Sequence, residues 1–237
     1  MRKIFLLSAL SFLVSFSLLA QDDKDNRPTI EPSGNIITKE VSVTSFDQLD
    51  VSGVFNLMLT QGNKEEVKIE ADDNLQSLFE VKNEGSKLTI GMKKDINMKG
   101  KLKLKVYITF KNLKSMDLKT VGNVSSEANM SFDDIGINNK SVGNIDLKLT
   151  TQKLNMQNKS VGNVKLSGKA DNVTINNKGV GSIQAANFVV QKMDIENSGI
   201  GSAEVNAEKE LKVKDSFMGK VTNKGAATTK RMNKVVI

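Results

Sequence analysis

The chain has 237 residues and a formal net charge of +7, from 34 Lys+Arg against 27 Asp+Glu, and it contains no histidine, cysteine or tryptophan. These absences exclude imidazole catalysis, His- or thiolate-bound metals and disulfides, and nothing in the composition calls for a cofactor. Beyond Arg2 the only arginines are Arg27 and Arg231, and Tyr107 is the single tyrosine, so no nucleic acid is expected as a partner.

Residues 1–20 begin with Arg2 and Lys3, continue as an apolar run and end at the small Ala20. This is the layout of a secretory signal peptide cleaved after Ala20. The remaining 217 residues carry 32 Lys+Arg against 27 Asp+Glu, a net of +5. The apolar run is short for a span, and Asp22, Asp23 and Asp25 follow it, so no stable membrane span is expected after cleavage. The expected location is the periplasm, the outer-membrane surface or the exterior. Residues 21–40 are polar and hold both prolines, Pro28 and Pro32, and the turn-like Ser33-Gly34-Asn35. They read as a linker into one domain over 41–237, with the first strand near Ile36 or Val41.

From there the apolar period is two. Phe55, Leu57 and Leu59 alternate with polar residues, as do Val67 and Ile69, then Leu88 and Ile90. Asn83-Glu84-Gly85-Ser86 reads as a hairpin turn between strands at 79–81 and 88–90. Asp72-Asp73-Asn74 predicts a turn that caps one helical turn over 75–79. Leu102, Leu104, Val106, Ile108 and Phe110 alternate with Lys101, Lys103 and Lys105, a strand with a comb of lysines on its outer face. That comb is the candidate surface for an anionic ligand; as a purely structural feature it would discourage edge pairing.

Past Met116 the pattern repeats. NKSVGNI (139–145) returns as NKSVGNV (158–164), then as NKGVGSI (177–183) and NSGIGSA (197–203). The marker glycines are Gly122, Gly143, Gly162, Gly181 and Gly201, with a degenerate Gly219, and successive gaps of 21, 19, 19, 20 and 18 residues. Each unit carries two pairs of alternating aliphatics. A fixed period with strands in every unit predicts an all-β solenoid, a parallel β-helix with coils of about twenty residues. Asn139, Asn158, Asn177 and Asn197 share the phase of the inward aliphatics before them. Stacked one strand spacing apart, about 4.8 Å, their amides can form an internal ladder. The glycines then supply the unusual backbone of a corner.

The stretches VTSFDQLDVSGVFNLMLTQG, VKIEADDNL and FEVKNEGSKLTIGMK, within 43–93, resemble the head GIN domain family, whose members bear an auto-transporter adhesin label. The resemblance covers roughly 43–225 and rests most on Phe46, Gly53, Phe55, Gln61-Gly62 and the GSKLTI segment. It implies an exported protein with a right-handed β-helix-like sheet, and it brings no catalytic or ligand residues with it. The tail VTNKGAATTKRMNKVVI departs from the glycine-rich aromatic-proline ending of the family.

Paired acids, the residue type a carbohydrate-cleaving enzyme would use, occur at Asp72-Asp73 and Asp133-Asp134. Adjacent residues on a strand point to opposite faces, so neither pair is expected to converge on a substrate. The expected function is therefore a non-catalytic surface or periplasmic binding module, adhesin-like, for a glycan or protein of the envelope. The alternatives are a β-helix lyase or hydrolase acting on carbohydrate, and an envelope spacer with no ligand.

Overall fold

Alternating inward aliphatics and outward polar residues hold the chain in strands, and the twenty-residue period lays each strand against the one a coil earlier. The computed structural model describes residues 27–216 and 218–232. Its first part contains β1 (Thr29–Ile30), β2 (Ile36–Val41), β3 (Gln48–Gly53), β4 (Asn56–Gln61), β5 (Glu66–Asp72), β6 (Phe79–Glu84), β7 (Lys87–Met92), β8 (Asn97–Met98) and β9 (Lys105–Phe110). The repeat region contains β10 (Ser115–Thr120), β11 (Val124–Ser126), β12 (Met130–Asn139), β13 (Ile145–Asn158), β14 (Val164–Asn177), β15 (Ile183–Asn197), β16 (Ala203–Asp215), β17 (Val221–Asn223) and β18 (Thr229–Arg231).

From β10 onward every pairing is parallel, which is how a solenoid stacks. After the corner, Ile145 aligns with Val164, Val164 with Ile183, Ile183 with Ala203 and Ala203 with Val221. Before the next corner, Met156, Ile175, Ile195 and Val213 stack in the same way. All these side chains are buried in one continuous core. Burying a side chain of this size contributes about 1.5–3 kcal/mol, so the columns supply the main driving force for stacking. Between the two columns each coil bends where two successive residues both face solvent: Asp133-Asp134, Gln152-Lys153 and Asp171-Asn172. The expectation that Asp133 and Asp134 point to opposite faces is corrected here. The strand turns at this doublet, so both carboxylates lie outside.

The front of the solenoid is built from antiparallel pairs. β2 pairs with β5, β5 with β9, and β6 with β7 across the hairpin turn. A short 3-10 helix, Asp73–Leu78, buries Leu75 and Leu78 between β5 and β6. Asp72 does not cap that helix; its carboxylate accepts a 2.6 Å hydrogen bond from the Gly34 N–H. In the segment read as a linker, a two-residue strand at Thr29–Ile30 precedes β2, which starts at Ile36. β1 lies parallel to β8, and β2 runs along β5 from Ile36 to Val41. Residues 1–20, the expected signal peptide, lie outside the described residues.

Two carboxamides finish the middle of the coils where no further strand is available. Gln61 accepts from Ser131 N–H at 2.7 Å and donates to Ser131 C=O at 2.9 Å. At the other end Asn223 does the same for Ala207, at 2.8 and 3.1 Å. Each amide substitutes for a missing strand residue and satisfies backbone groups that would otherwise be orphaned.

The last coil is held by Asp215, which is buried, accepts from the Val221 N–H at 3.3 Å and pairs with the Arg231 guanidinium. Burial works against its charged form, but Arg231 and the Val221 N–H outweigh it and hold the carboxyl below its ordinary value. A depressed carboxyl contributes stability above the unfolded pKa, near 3.9, and loses it as pH falls through the folded value. Arg231→Met should therefore cost about 1 kcal/mol at pH 7, the half-exposed guanidinium limiting the effect. Urea titrations should show the gap between variant and parent closing below about pH 4. A gap that stays constant from pH 7 to pH 3 would contradict this role for the pair.

Candidate functional site

Each coil turns its first corner at the Val-Gly-Asn phrase. Gly122, Gly143, Gly162, Gly181 and Gly201 all have positive φ, between +128° and +149°. A Cβ on Gly162 would lie 2.2 Å from the carbonyl oxygen of Gly143, so the corners approach one another more closely than any side chain permits.

Inside the corner, Asn139 Nδ2 donates to Asn158 Oδ1 at 2.7 Å, Asn158 Nδ2 to Asn177 Oδ1 at 2.7 Å, and Asn177 Nδ2 to Asn197 Oδ1 at 2.6 Å. The row ends where Asn197 donates to the Gly219 carbonyl at 2.7 Å. All four asparagines are buried. Facing inward and bonded to one another, they offer nothing to a ligand.

The outside of the same corner is different. Val121, Val142, Val161, Val180 and Ile200 are joined by parallel bridges into a single column. Met218 continues it, its carbonyl accepting from Gly201 N–H as that of Ile200 accepts from Gly181 N–H. These six side chains are 45–54% exposed, whereas Val124, Ile145, Val164, Ile183 and Ala203, three residues after the first five of them, are buried. At about 4.8 Å per coil the ridge runs roughly 24 Å along the solenoid. Two residues earlier in each coil, Lys140, Lys159 and Lys178 form an exposed parallel row. Among the described residues none of the three has a carboxylate in ion-pair range. Lys119, one coil earlier, is bonded to Asp50 at 3.1 Å.

On the other flank runs an exposed amide row. Asn56 Oδ1 accepts from Asn123 N–H at 2.8 Å, Asn123 Oδ1 from Asn144 N–H at 3.0 Å, Asn144 Oδ1 from Asn163 N–H at 2.9 Å, and Asn163 Oδ1 from Ser182 N–H at 2.9 Å. The sequence reading missed both the ridge and this outer amide row. The signal was present: valine or isoleucine recurs in an outward phase, and asparagine recurs two positions later.

The lysine comb is broken up in the structure. β9 starts at Lys105, opposite Asn56, the first residue of β4, on one side and Glu70 of β5 on the other. Lys101 and Lys103 precede the strand, and Lys105 Nζ is bonded to Glu70 Oε1 at 2.8 Å. Since β9 is paired on both sides, its lysines have no edge to protect. Asp133 and Asp134 line an open groove of about 520 Å³ together with Lys114 and Lys153. A neighbouring groove of about 850 Å³ presents Thr150, Gln152, Lys169, Asp171 and Gln191. Among the described residues no three acidic side chains are placed to hold a metal ion.

Comparison with known proteins agrees with this architecture. Residues 45–227 match the family described as "Putative auto-transporter adhesin, head GIN domain". The chain belongs to this family. A crystal structure described as a putative adhesin from Bacteroides fragilis is 31% identical and covers 86% of this chain and 100% of its own, with a TM-score of 0.75. Another so described, from Parabacteroides distasonis, is 20% identical and covers 86% of this chain and 95% of its own, with a TM-score of 0.65. A protein described as a putative lipid binding protein, also from Parabacteroides distasonis, is 16% identical, covers 86% of this chain and 100% of its own, and has a TM-score of 0.59. At these lower identities the likeness is one of fold. No curated protein matches the chain. Among the described residues no helix is long and apolar enough to cross a membrane.

Proposed function

We propose that this head GIN domain protein is exported and acts as a non-catalytic, adhesin-like binding module of the cell envelope. Its contact surface is the corner strip of lysines, aliphatics and asparagines. Export is supported by the basic start, apolar run and Ala20 of residues 1–20. A binding role is supported by membership of an adhesin-labelled family and, above all, by one observation: six large apolar side chains in a row are left half in water. A contiguous exposed apolar patch of this kind marks an interaction surface; the other exposed aliphatics among the described residues, Ile36, Ile37, Val54 and Val189, lie outside the column.

The open grooves support catalysis less well. Their carboxylates are interleaved with Lys114, Lys153 and Lys169, and the two acids that share a groove, Asp133 and Asp134, are neighbours on one bend of β12. The ridge is tested by replacing Val142, Val161 and Val180 with threonine, which keeps the β-branched shape while making the surface polar. The parent chain is expected to bind isolated cell-envelope fractions, and the triple variant to bind at least about tenfold more weakly. Equal binding by the two would remove the ridge from the contact surface.

A further inference from the structure

The composition of the strip carries more than a generic contact. Lys140, Lys159 and Lys178 sit two residues from Val142, Val161 and Val180, so a cationic row runs about 7 Å from an apolar row. Beyond the lysines the next outward positions are the neutral Asn138, Gln157 and Asn176, a row flanked by Asp117, which accepts from Asn138 Nδ2 at 2.6 Å, and Glu196, which is 3.5 Å from Lys214; beyond the ridge are Asn123, Asn144 and Asn163. The nearest carboxylate on the following row, Asp146, is taken by Lys165 at 2.9 Å. Among the described residues none of these carboxylates is in ion-pair range of the three lysines, which stay unpaired.

From this charge complementarity, and building on the contact surface proposed above, we infer that the strip docks on an anionic lipid bilayer. The ridge is a convex corner of single side chains, suited to entering the interfacial layer. The lysines beside it lie at the right depth to meet phosphates. A soluble polyanion would use the lysines and leave the ridge wet. An apolar protein partner would use the ridge and would have to bury or avoid three unpaired ammonium groups.

The test is co-sedimentation of the full chain with vesicles of phosphatidylcholine alone or with about one third phosphatidylglycerol. The parent is expected to bind the anionic vesicles in low salt, to be released as salt is raised, and to leave neutral vesicles largely free. Each lysine near an anionic surface contributes about fivefold in affinity, so Lys140→Gln, Lys159→Gln and Lys178→Gln together should weaken binding about a hundredfold. Val142→Thr with Val161→Thr should weaken it already in low salt, while thermal melting shows either variant folded. Binding retained by both variants, or no binding to anionic vesicles, overturns the inference. So does concentration-dependent self-association abolished by the valine changes without vesicle binding, which would assign the strip to a second copy. Envelope-fraction binding that still depends on the ridge in the absence of vesicle binding would refute the lipid while leaving the contact surface standing.

Discussion

Replacing Asn158 with leucine is expected to lower the unfolding free energy by about 3–5 kcal/mol. The side chain makes three buried hydrogen bonds: it accepts from Asn139 Nδ2 at 2.7 Å and from Ser160 Oγ at 2.9 Å, and donates to Asn177 Oδ1 at 2.7 Å. Leucine removes all three while leaving the partners in place. Each buried polar group left without a partner costs about 1–3 kcal/mol, and the branched side chain overfills a layer built around a planar amide. Lys159 is the control, because it follows directly in sequence but points to solvent; its change to alanine should cost about 0.5 kcal/mol or less. Urea denaturation of both variants decides the matter. Equal midpoints would mean that the internal amide row contributes nothing to stability.

Much of the architecture was legible because inward positions repeat. Once Met156, Ile175, Ile195 and Val213 recur at near-constant spacing with alternate residues polar, stacking is the way to bury every such face, and the phase of Asn158 follows. The front was less legible. β2 starts at Ile36, one of the two places expected for the first strand, but β1 has two residues and carries no apolar alternation to mark it. β9 failed in the other direction: the alternation extends back to Leu102, but the strand starts at Lys105, where β4 begins at Asn56 and β5 goes on to Asp72 paired with β2. The doublet Asp133-Asp134 misled because a bend in a coil looks, in one dimension, like a polar pair on a straight strand.

The candidate surface was the least legible feature. Val142 is apolar whether it faces in or out; alternation with the buried Asn139 and Ser141 puts it outside, and the positive φ of the following glycine resets the phase so that Ile145 turns inward. Asn144 looked like a residue chosen for tolerance of a turn. Its carboxamide in fact accepts a hydrogen bond from the coil above, a role that depends on the distance between corners rather than on the local chain.

That corner distance gives the second large effect. Gly162→Ala is expected to cost at least about 3 kcal/mol, although it adds one methyl group at a half-exposed position. The φ of +133° is strained for any L-residue by about 1–3 kcal/mol. The new Cβ would also meet the Gly143 carbonyl oxygen at 2.2 Å and its carbon at 2.6 Å. Neither backbone can retreat freely. Gly143 N–H is bonded to the Val161 carbonyl at 2.8 Å and Gly162 N–H to the Val180 carbonyl at 2.8 Å, so parting one corner breaks the bridges on which the outer ridge is built. In a stack where each coil touches only its neighbours, the damage should fall at that interface and divide the solenoid there. Gly162→Ala should therefore lower the urea midpoint and broaden the transition. Hydrogen exchange should quicken most in the amides of 139–164, while those of β9 and β4 remain protected. Gly85→Ala is the comparison: its φ of +57° lies in the left-handed well, with no atom within 4 Å of the added Cβ. It should cost about 1–2 kcal/mol, without the broadening. If the two alanine variants unfold alike, the close approach of the corners is not what holds the coils in register.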